Sequence, residues 1–251
     1  MRLLEILRYQ RLHRVDGNVY KFVQCDFAYS SNHIEGSTLT HDQTVSIFER
    51  GCASGTVRLD DAVEARNHFR LVDYVLDHAD EPLDAEMLKH MHGILKRGTA
   101  ADADPLQAVG GFKLFENEIV AGVARVSTAA PEEVPALVDA LVADYEAGAP
   151  REGDFLALMA RTHWRLERIH PFSDGNGRIG RAVMFKECLR HDETPFIVTE
   201  DLRDFYIRGL REFEREPGYL TDTLGFAQDR FEERYMPLAR NYGAALERLG
   251  G

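Results

Sequence analysis

A chain of 251 residues fits one large domain or two small ones and has ample length to bury a core. Hydrophobic residues make up 44% and charged residues 29%, an ordinary soluble globular balance. The net charge of −12 argues against a general nucleic-acid binder, and no run approaches the ~18 apolar residues that would span a membrane. Cys25, Cys52 and Cys188 form no CxxC pair and read as free thiols of a reducing compartment. The first 21 residues carry five Lys/Arg against two acids but no apolar stretch of signal-peptide type, so the expected location is cytoplasmic.

Most segments carry helical periodicity. Leu3, Leu4, Ile6 and Leu7 begin a short amphipathic helix that Asp16-Gly17 is expected to end. A second helix is predicted over Val19 to Ile34, with Glu35-Gly36 at its C-terminus and Gly36 in the left-handed position. Thr40 is the predicted N-cap of a third, followed by a break over Gly51 to Gly55. Asp60 to His78 reads as a long helix, and Leu83-Asp84 opens another that runs to Leu95. From Gly98 to Pro131 the pattern changes. Glycines at 98, 110, 111 and 122 and the β-prone run from Glu118 to Val126 predict short strands around Ala121-Gly122. Helix returns from Pro131 through Tyr145, then from Asp154 to Ile169, then from about Gly177 to Arg190, with two or three more in the C-terminal part. The expectation is one mostly helical, all-α domain with one small β element.

Between the last two of those middle helices runs His170-Pro171-Phe172-Ser173-Asp174-Gly175-Asn176-Gly177-Arg178, closed by Arg181 a turn later. It places a titratable base, a carboxylate, two flexible glycines and two guanidiniums in one short stretch. That is the inventory for holding a nucleotide polyphosphate with a metal and taking a proton from an attacking hydroxyl. The glycines let the backbone approach phosphate, and the N–H groups of the following helix start can point at it. His170 sits at the C-terminal end of a helix, where an isolated histidine would be read as capping the last carbonyls. With an imidazole near neutral pKa it also suits a general base. Two guanidiniums at a helix N-terminus run against the dipole preference, which makes sense if polyphosphate supplies the negative charge. Pro171 is read as fixing the chain direction and Phe172 as plugging the core beneath.

The stretch resembles the Fic family motif, His-Pro-Phe-x-Asp/Glu-Gly-Asn-Gly/Lys-Arg-x-x-Arg, at every fixed position. The resemblance implies a Fic-type helical domain with a small β-hairpin flap. It implies His170 as catalytic base, Asp174 holding Mg²⁺ (or Mn²⁺), and Gly175, Asn176 and Gly177 as an anion hole. Arg178 would bind the inner phosphates of ATP and Arg181 the γ-phosphate. Gly177 is where the Doc-like branch of kinases carries Lys, so it favours AMP transfer to a protein hydroxyl. Ser31-Asn32-His33-Ile34-Glu35-Gly36 resembles the family's autoinhibition pattern, Ser/Thr-x-x-x-Glu-Gly/Asn. Ser31 and Glu35 fall on one helix face, and Glu35 is expected to pair with Arg181. The implied layout is an N-terminal helical segment 1–58 with the inhibitory helix at about 19–36, and a Fic domain 59–251. Within that domain the catalytic core covers about 83–190 and C-terminal helices 191–251.

The β-prone stretch takes the place of the family's flap, with Ile119 and Val120 as the residues for docking a target segment. Tyr206 resembles the position where relatives place an aromatic beside adenine. Relatives often add an Asn some two turns later, where Glu212-Phe213-Glu214 stand here. The expected partners are ATP and a protein target, with self-modification and a homodimer left open, and neither nucleic acid nor membrane. Three alternatives stand beside this reading. The same site, with Glu35 positioning water, would serve removal of AMP, or another phosphotransfer. His163, Glu167 and His170, spaced by four and three, would present a zinc hydrolase face with Asp174 nearby, although no H-E-x-x-H is present and Gly175 to Arg181 go unused. A non-catalytic ATP-binding regulator is disfavoured by intact His170, Asp174, Arg178 and Arg181. His90 and His92 are two apart and diverge. His163 is read as a buried histidine with a backbone partner and Trp164 as packing.

Overall fold

The structure is a computed structural model that describes residues 1–15, 18–121, 124–148 and 155–250. Eleven α-helices and one two-stranded sheet make up its regular elements among these residues. The expected turn at Asp16-Gly17, the strand-loop glycine at 122 and the helix start at Asp154 lie outside the described residues.

The N-terminal helices are α1 (Leu3–His13), α2 (Val19–Ile34) and α3 (His41–Arg50). Local chemistry sets their ends. Asn18 caps α2 by accepting from the Lys21 N–H, and Thr40 with Gln43 forms a capping box at α3. Gly36 has φ +92, the left-handed backbone its sequence position required. Next come α4 (Leu59–Asp77) and α5 (Ala85–Lys96), the latter capped by Asp84 through the Met87 N–H. Two short 3-10 turns at Ala100–Ala103 and Pro105–Gln107 lead to the hairpin β1 (Glu118–Ala121) and β2 (Ala124–Ser127). The strands are antiparallel, with Glu118 opposite Ser127 and Ala121 opposite Ala124. Then follow α6 (Val134–Ala147), α7 (Phe155–Ile169), α8 (Asn176–Arg190), α9 (Arg203–Glu212), α10 (Gly218–Arg234) and α11 (Met236–Gly250).

Helix α8 is the axis of the molecule. It is buried on every side from Ile179 to Leu189, as expected of a helix that others surround, and it packs on α7, α4, α2 and α5. One large apolar cluster runs from Leu4 and Phe27 through Leu71, Phe172 and Phe185 to Phe231. Residues of the 1–58 segment and of the remainder therefore share a single core. Charges buried along α8 are paired, as low dielectric demands. Lys186 meets Glu187 at 2.7 Å, and Glu187 accepts from the Tyr145 hydroxyl at 2.6 Å.

At the C-terminal side, α9 and α10 touch backbone to backbone. A Cβ on Gly209 would stand 2.8 Å from Leu220 Cα and 2.9 Å from its nitrogen. No rotamer relieves a clash with main chain, so Gly209→Val is expected to destabilise the protein by roughly 1–3 kcal/mol. Thermal and urea melts check this, with the helical signal of the folded state otherwise retained.

Candidate active site

The loop between α7 and α8 is held by its own hydrogen bonds, by α5 and by residues 111–117 ahead of the hairpin, here called the strap. After Ile169 the chain turns at His170, whose φ of +52 is uncommon for a residue with a Cβ. Its N–H still donates to the Leu166 carbonyl at 2.9 Å. Phe172 is fully buried and stacks on His92 at 4.2 Å. The Asn176 side chain spans the turn: Oδ1 accepts from the Phe172 N–H and Nδ2 donates to the Phe172 carbonyl, both at 2.9 Å. Gly175, at φ +86, begins α8, and no side chain caps that helix. The first N–H groups of α8 are left for an anion.

Two charge networks flank this helix start. In the first, Asp174 takes Lys96 at 2.5 Å and Arg178 at 3.1 Å. Glu64 of α4 bridges the same two cations with close ion pairs to Lys96 and Arg178. Burial opposes ionisation of Asp174, but Arg178 and Lys96 outweigh it and hold the carboxyl down at about 2. In the second, Arg181 is buried, and α2 encloses its guanidinium. Nε donates to Ser31 Oγ at 3.0 Å, Nη2 to the Ser31 carbonyl at 2.9 Å and to Glu35 Oε1 at 2.6 Å, and Nη1 to the Tyr206 hydroxyl at 3.3 Å. The Glu35 carboxylate lies directly over Gly177, where any Cβ would collide with it.

His170, Asp174, Gly175 to Gly177, Arg181, Glu35 and Tyr206 line one cleft of about 720 Å³ that continues along α9 past Leu210 to Glu214. Two other hollows, of about 700 and about 740 Å³, hold none of the motif residues, so volume alone does not select the site. Burial lowers the His170 pKa below its ordinary value, Lys113 lowers it further, and Glu35 and Asp174 act in the opposite sense. Neutral imidazole is the form a base requires. Glu167, one turn before His170, is half-buried with its Oε1 out of solvent and unpartnered, and its Oε2 is 4.0 Å from His170 Nδ1. Burial and the neighbouring Glu35 push its carboxyl up to about 8, against the pull of Arg181.

Several side chains stand differently from the sequence-based expectation. Arg178 and Arg181 do not face one anion. Their spacing of three puts them on one helix face, but Glu64 draws Arg178 toward α4, beneath Asp174, while Ser31 and Glu35 draw Arg181 toward α2. The Asn176 amide is engaged by Phe172, leaving its backbone N–H for an anion. Tyr206 is buried, its hydroxyl bonded to His163 at 2.5 Å and to Arg181, so it supports the cleft floor. His163 thus has a side-chain partner in place of the expected backbone one. Its use by Tyr206 leaves the His163-Glu167-His170 zinc face unassembled, and among the described residues no three His, Cys, Asp or Glu converge as a metal set. Trp164 stacks on Phe213 at 5.0 Å. Ile119 and Val120 fall in strand β1, with their side chains outside the described part. Glu64, Lys96 and Lys113 were missed, and none carried a sequence signal. Glu167 was read only as part of the zinc face, not as a neighbour of the base.

Residues 82–188 match the family model described as Fic/DOC family. The chain thus carries a Fic/DOC family domain. It is similar to "Protein adenylyltransferase Fic" of Nematostella vectensis, 28% identical over 183 residues, covering 71% of this chain and 40% of the relative. It is also similar to the protein of the same name from Culex quinquefasciatus, 29% identical, covering 71% of this chain and 34% of that protein. The chain therefore spans two fifths or less of the length of these curated relatives. Among solved structures, a Fic domain containing signaling protein from Bacteroides thetaiotaomicron aligns over 98% of this chain and 93% of its own, with TM-score 0.69 and 25% identity. Caenorhabditis elegans Fic-1 shares the fold at TM-score 0.64 and 20% identity, over 98% of this chain and 72% of that one. The fold is the Fic fold, with α7, the loop and α8 inside the matched region. Among the described residues no helix is long and apolar enough to cross a membrane.

The raised pKa of Glu167 has a consequence for stability. The folded state holds a proton that the unfolded state releases near the ordinary carboxyl range, so this group's contribution is full below that range and is lost as pH rises through about 8. Glu167→Gln is therefore expected to gain on the wild type as pH rises from about 5 to about 8, on the order of 1–2 kcal/mol. Thermal melts of both proteins across that range read the difference directly.

Proposed function

We propose that this protein transfers AMP from ATP to a hydroxyl of a protein and is held inactive by Glu35. The observation that carries this reading is convergence. His170, Asp174, the open start of α8 and Arg181 line one cleft, and Glu35 occupies the guanidinium there. The naming of relatives as protein adenylyltransferases supports the same reaction class.

In this reading the triphosphate lies against the N–H groups at the start of α8, and Arg181 clamps the γ-phosphate. His170 takes the proton of the attacking hydroxyl. The hydroxyl oxygen bonds to the α-phosphorus, the bond to the bridging oxygen breaks, and pyrophosphate leaves. Asp174 suits a hard cation, Mg²⁺ or Mn²⁺. Its carboxylate is ionised, lines the cleft, and stands without other acids in the loop, as for a metal that takes most of its ligands from phosphate and water. That cation would neutralise charge on the phosphate oxygens. Arg178, bonded to Asp174 and Glu64, acts on the phosphates by holding this carboxylate in place. The edge of the β1–β2 hairpin offers main-chain hydrogen bonds to an extended target segment.

With Glu35 in place the guanidinium is spent, and ATP lacks its γ-phosphate clamp. Wild-type protein is therefore expected to transfer little AMP, and Glu35→Gly to raise transfer strongly. Arg181→Ala in that background should cancel the gain, because the freed clamp no longer exists. His170→Ala in that background should lose ~10²–10⁴-fold. Mass spectrometry of the protein and of a lysate after incubation with labelled ATP and Mg²⁺ reads these outcomes. Equal activity of Glu35→Gly with and without Arg181 would defeat the clamp. A mass increment of phosphate in place of AMP would move the reaction to kinase chemistry.

A further inference from the structure

The strap ahead of the hairpin contains a lysine with no place in the reaction described above. Lys113 is buried, with 2% of its surface exposed. Its ammonium donates to Asn117 Oδ1 at 2.6 Å, to Thr128 Oγ1 at 2.7 Å and to the Ile169 carbonyl at 3.4 Å. Its backbone N–H donates to the Pro171 carbonyl at 2.9 Å. Asn117, one turn on, donates to the Phe172 carbonyl at 3.0 Å. Thr128, just past β2, returns a hydrogen bond to the Asn117 carbonyl at 2.8 Å.

Two things stand out in this arrangement. The carbonyls that Lys113 holds, those of Ile169 and Pro171, are the neighbours of His170 on either side. They fix the peptide planes between which His170 adopts its left-handed backbone. The residues that receive the ammonium, Asn117 and Thr128, are the two feet of the hairpin, next to Glu118 and Ser127. An ammonium removed from water whose three hydrogen bonds all go to neutral oxygens carries a desolvation cost, and a neutral side chain would avoid it.

We propose that Lys113 is the positioning residue of the catalytic base, joining the feet of the target-docking hairpin to the peptides that flank His170 and setting the surroundings of its imidazole. The proposal rests on the reading of His170 as base. Its electrostatic half follows from the groups facing the imidazole. Lys113 on the strap is the cation that disfavours imidazolium, while the Glu167 carbonyl on α7, Glu35 at the end of α2 and Asp174 in the loop favour it; the Glu167 carboxyl, 4.0 Å from Nδ1, is held neutral up to about 8. Removing the ammonium therefore raises the His170 pKa, and the protonated, inactive form persists to higher pH. Lys113 itself is lowered to about 8 by burial, against Glu116, so the same field fades as pH rises through that value.

The test uses the full chain carrying Glu35→Gly, alone and with Lys113→Met, Lys113→Arg or His170→Ala. Titration of the His170 imidazole by NMR needs no turnover. Lys113→Met is expected to raise its pKa by about one unit, and Lys113→Arg to leave it in place. In AMP transfer, Lys113→Met is expected to lower kcat ~10-fold with the KM for ATP unchanged, and to move the acid limb of the pH profile upward by the same amount. Lys113→Arg is expected to restore the position of that limb. An unmoved imidazole pKa in a folded Lys113→Met variant overturns the proposal. So does an unfolded Lys113→Met accompanied by a Lys113→Arg whose imidazole pKa rises. Transfer that survives His170→Ala overturns the reading of the base instead, and the NMR titration keeps the two failures apart.

Discussion

A guanidinium sealed inside a protein has to be paired, because an unpaired buried charge costs more than the fold can spare. Arg181 is that group here. Burial works against its charged form, yet Tyr206 and Glu35 hold it protonated above its ordinary value. Its partners are three residues at two places in the chain: Ser31 and Glu35 at the C-terminal end of α2, and Tyr206 of α9. The position of α2 against α8, the orientation of α9 along the cleft and the bond of Tyr206 to His163 on α7 all follow from satisfying one cation. The cation whose pairing these elements share is thus the residue that the proposed reaction needs to be free.

The first two turns of α8 are organised by competition on both sides. Glu64 and Asp174 share Lys96 and Arg178, and Glu35 shares Arg181 with Ser31 and Tyr206. Between these networks the helix start is uncapped and faces the cleft. A polyphosphate entering there would meet backbone dipoles at once, and side-chain cations only by displacing a carboxylate. Fold stability and readiness for anion binding are therefore set by the same few charges. Two carboxyls near His170 also feel one another: Glu35 helps keep Glu167 protonated.

Helix positions were legible in the sequence wherever local chemistry decides them. The Thr40–Gln43 box, the Asp84 cap, the left-handed Gly36 and the close of α7 just before the loop are short-range matters. The Glu35–Arg181 contact was legible because two patterns of fixed spacing carried it. Glu64, Lys96 and Lys113 were not, since each reaches the loop from an element distant in sequence and none sits in a pattern of its own. The same blindness explains Arg178, Asn176 and Tyr206. Spacing told which residues gather near the start of α8, but tertiary partners decided where each side chain points. Arg178 turned to Glu64, Asn176 to Phe172 and Tyr206 to His163.

Gly177 contributes through the atom it lacks. The space a Cβ would occupy there is filled by the Glu35 carboxylate, with Arg181 Nη1 only 3.0 Å from the same point. Positions 35 and 177 thus form a lock and its keyhole: bulk at one excludes the acid at the other. A methyl group added at 177 would force the Glu35 carboxylate to shift while every residue of the Ser31–Gly36 segment stayed unchanged. Whether the end of α2 can reach Arg181 in a chain of this architecture is accordingly decided at two places at once, and a designer wishing to transplant the N-terminal helix onto another such domain has first to ask what stands opposite Gly177.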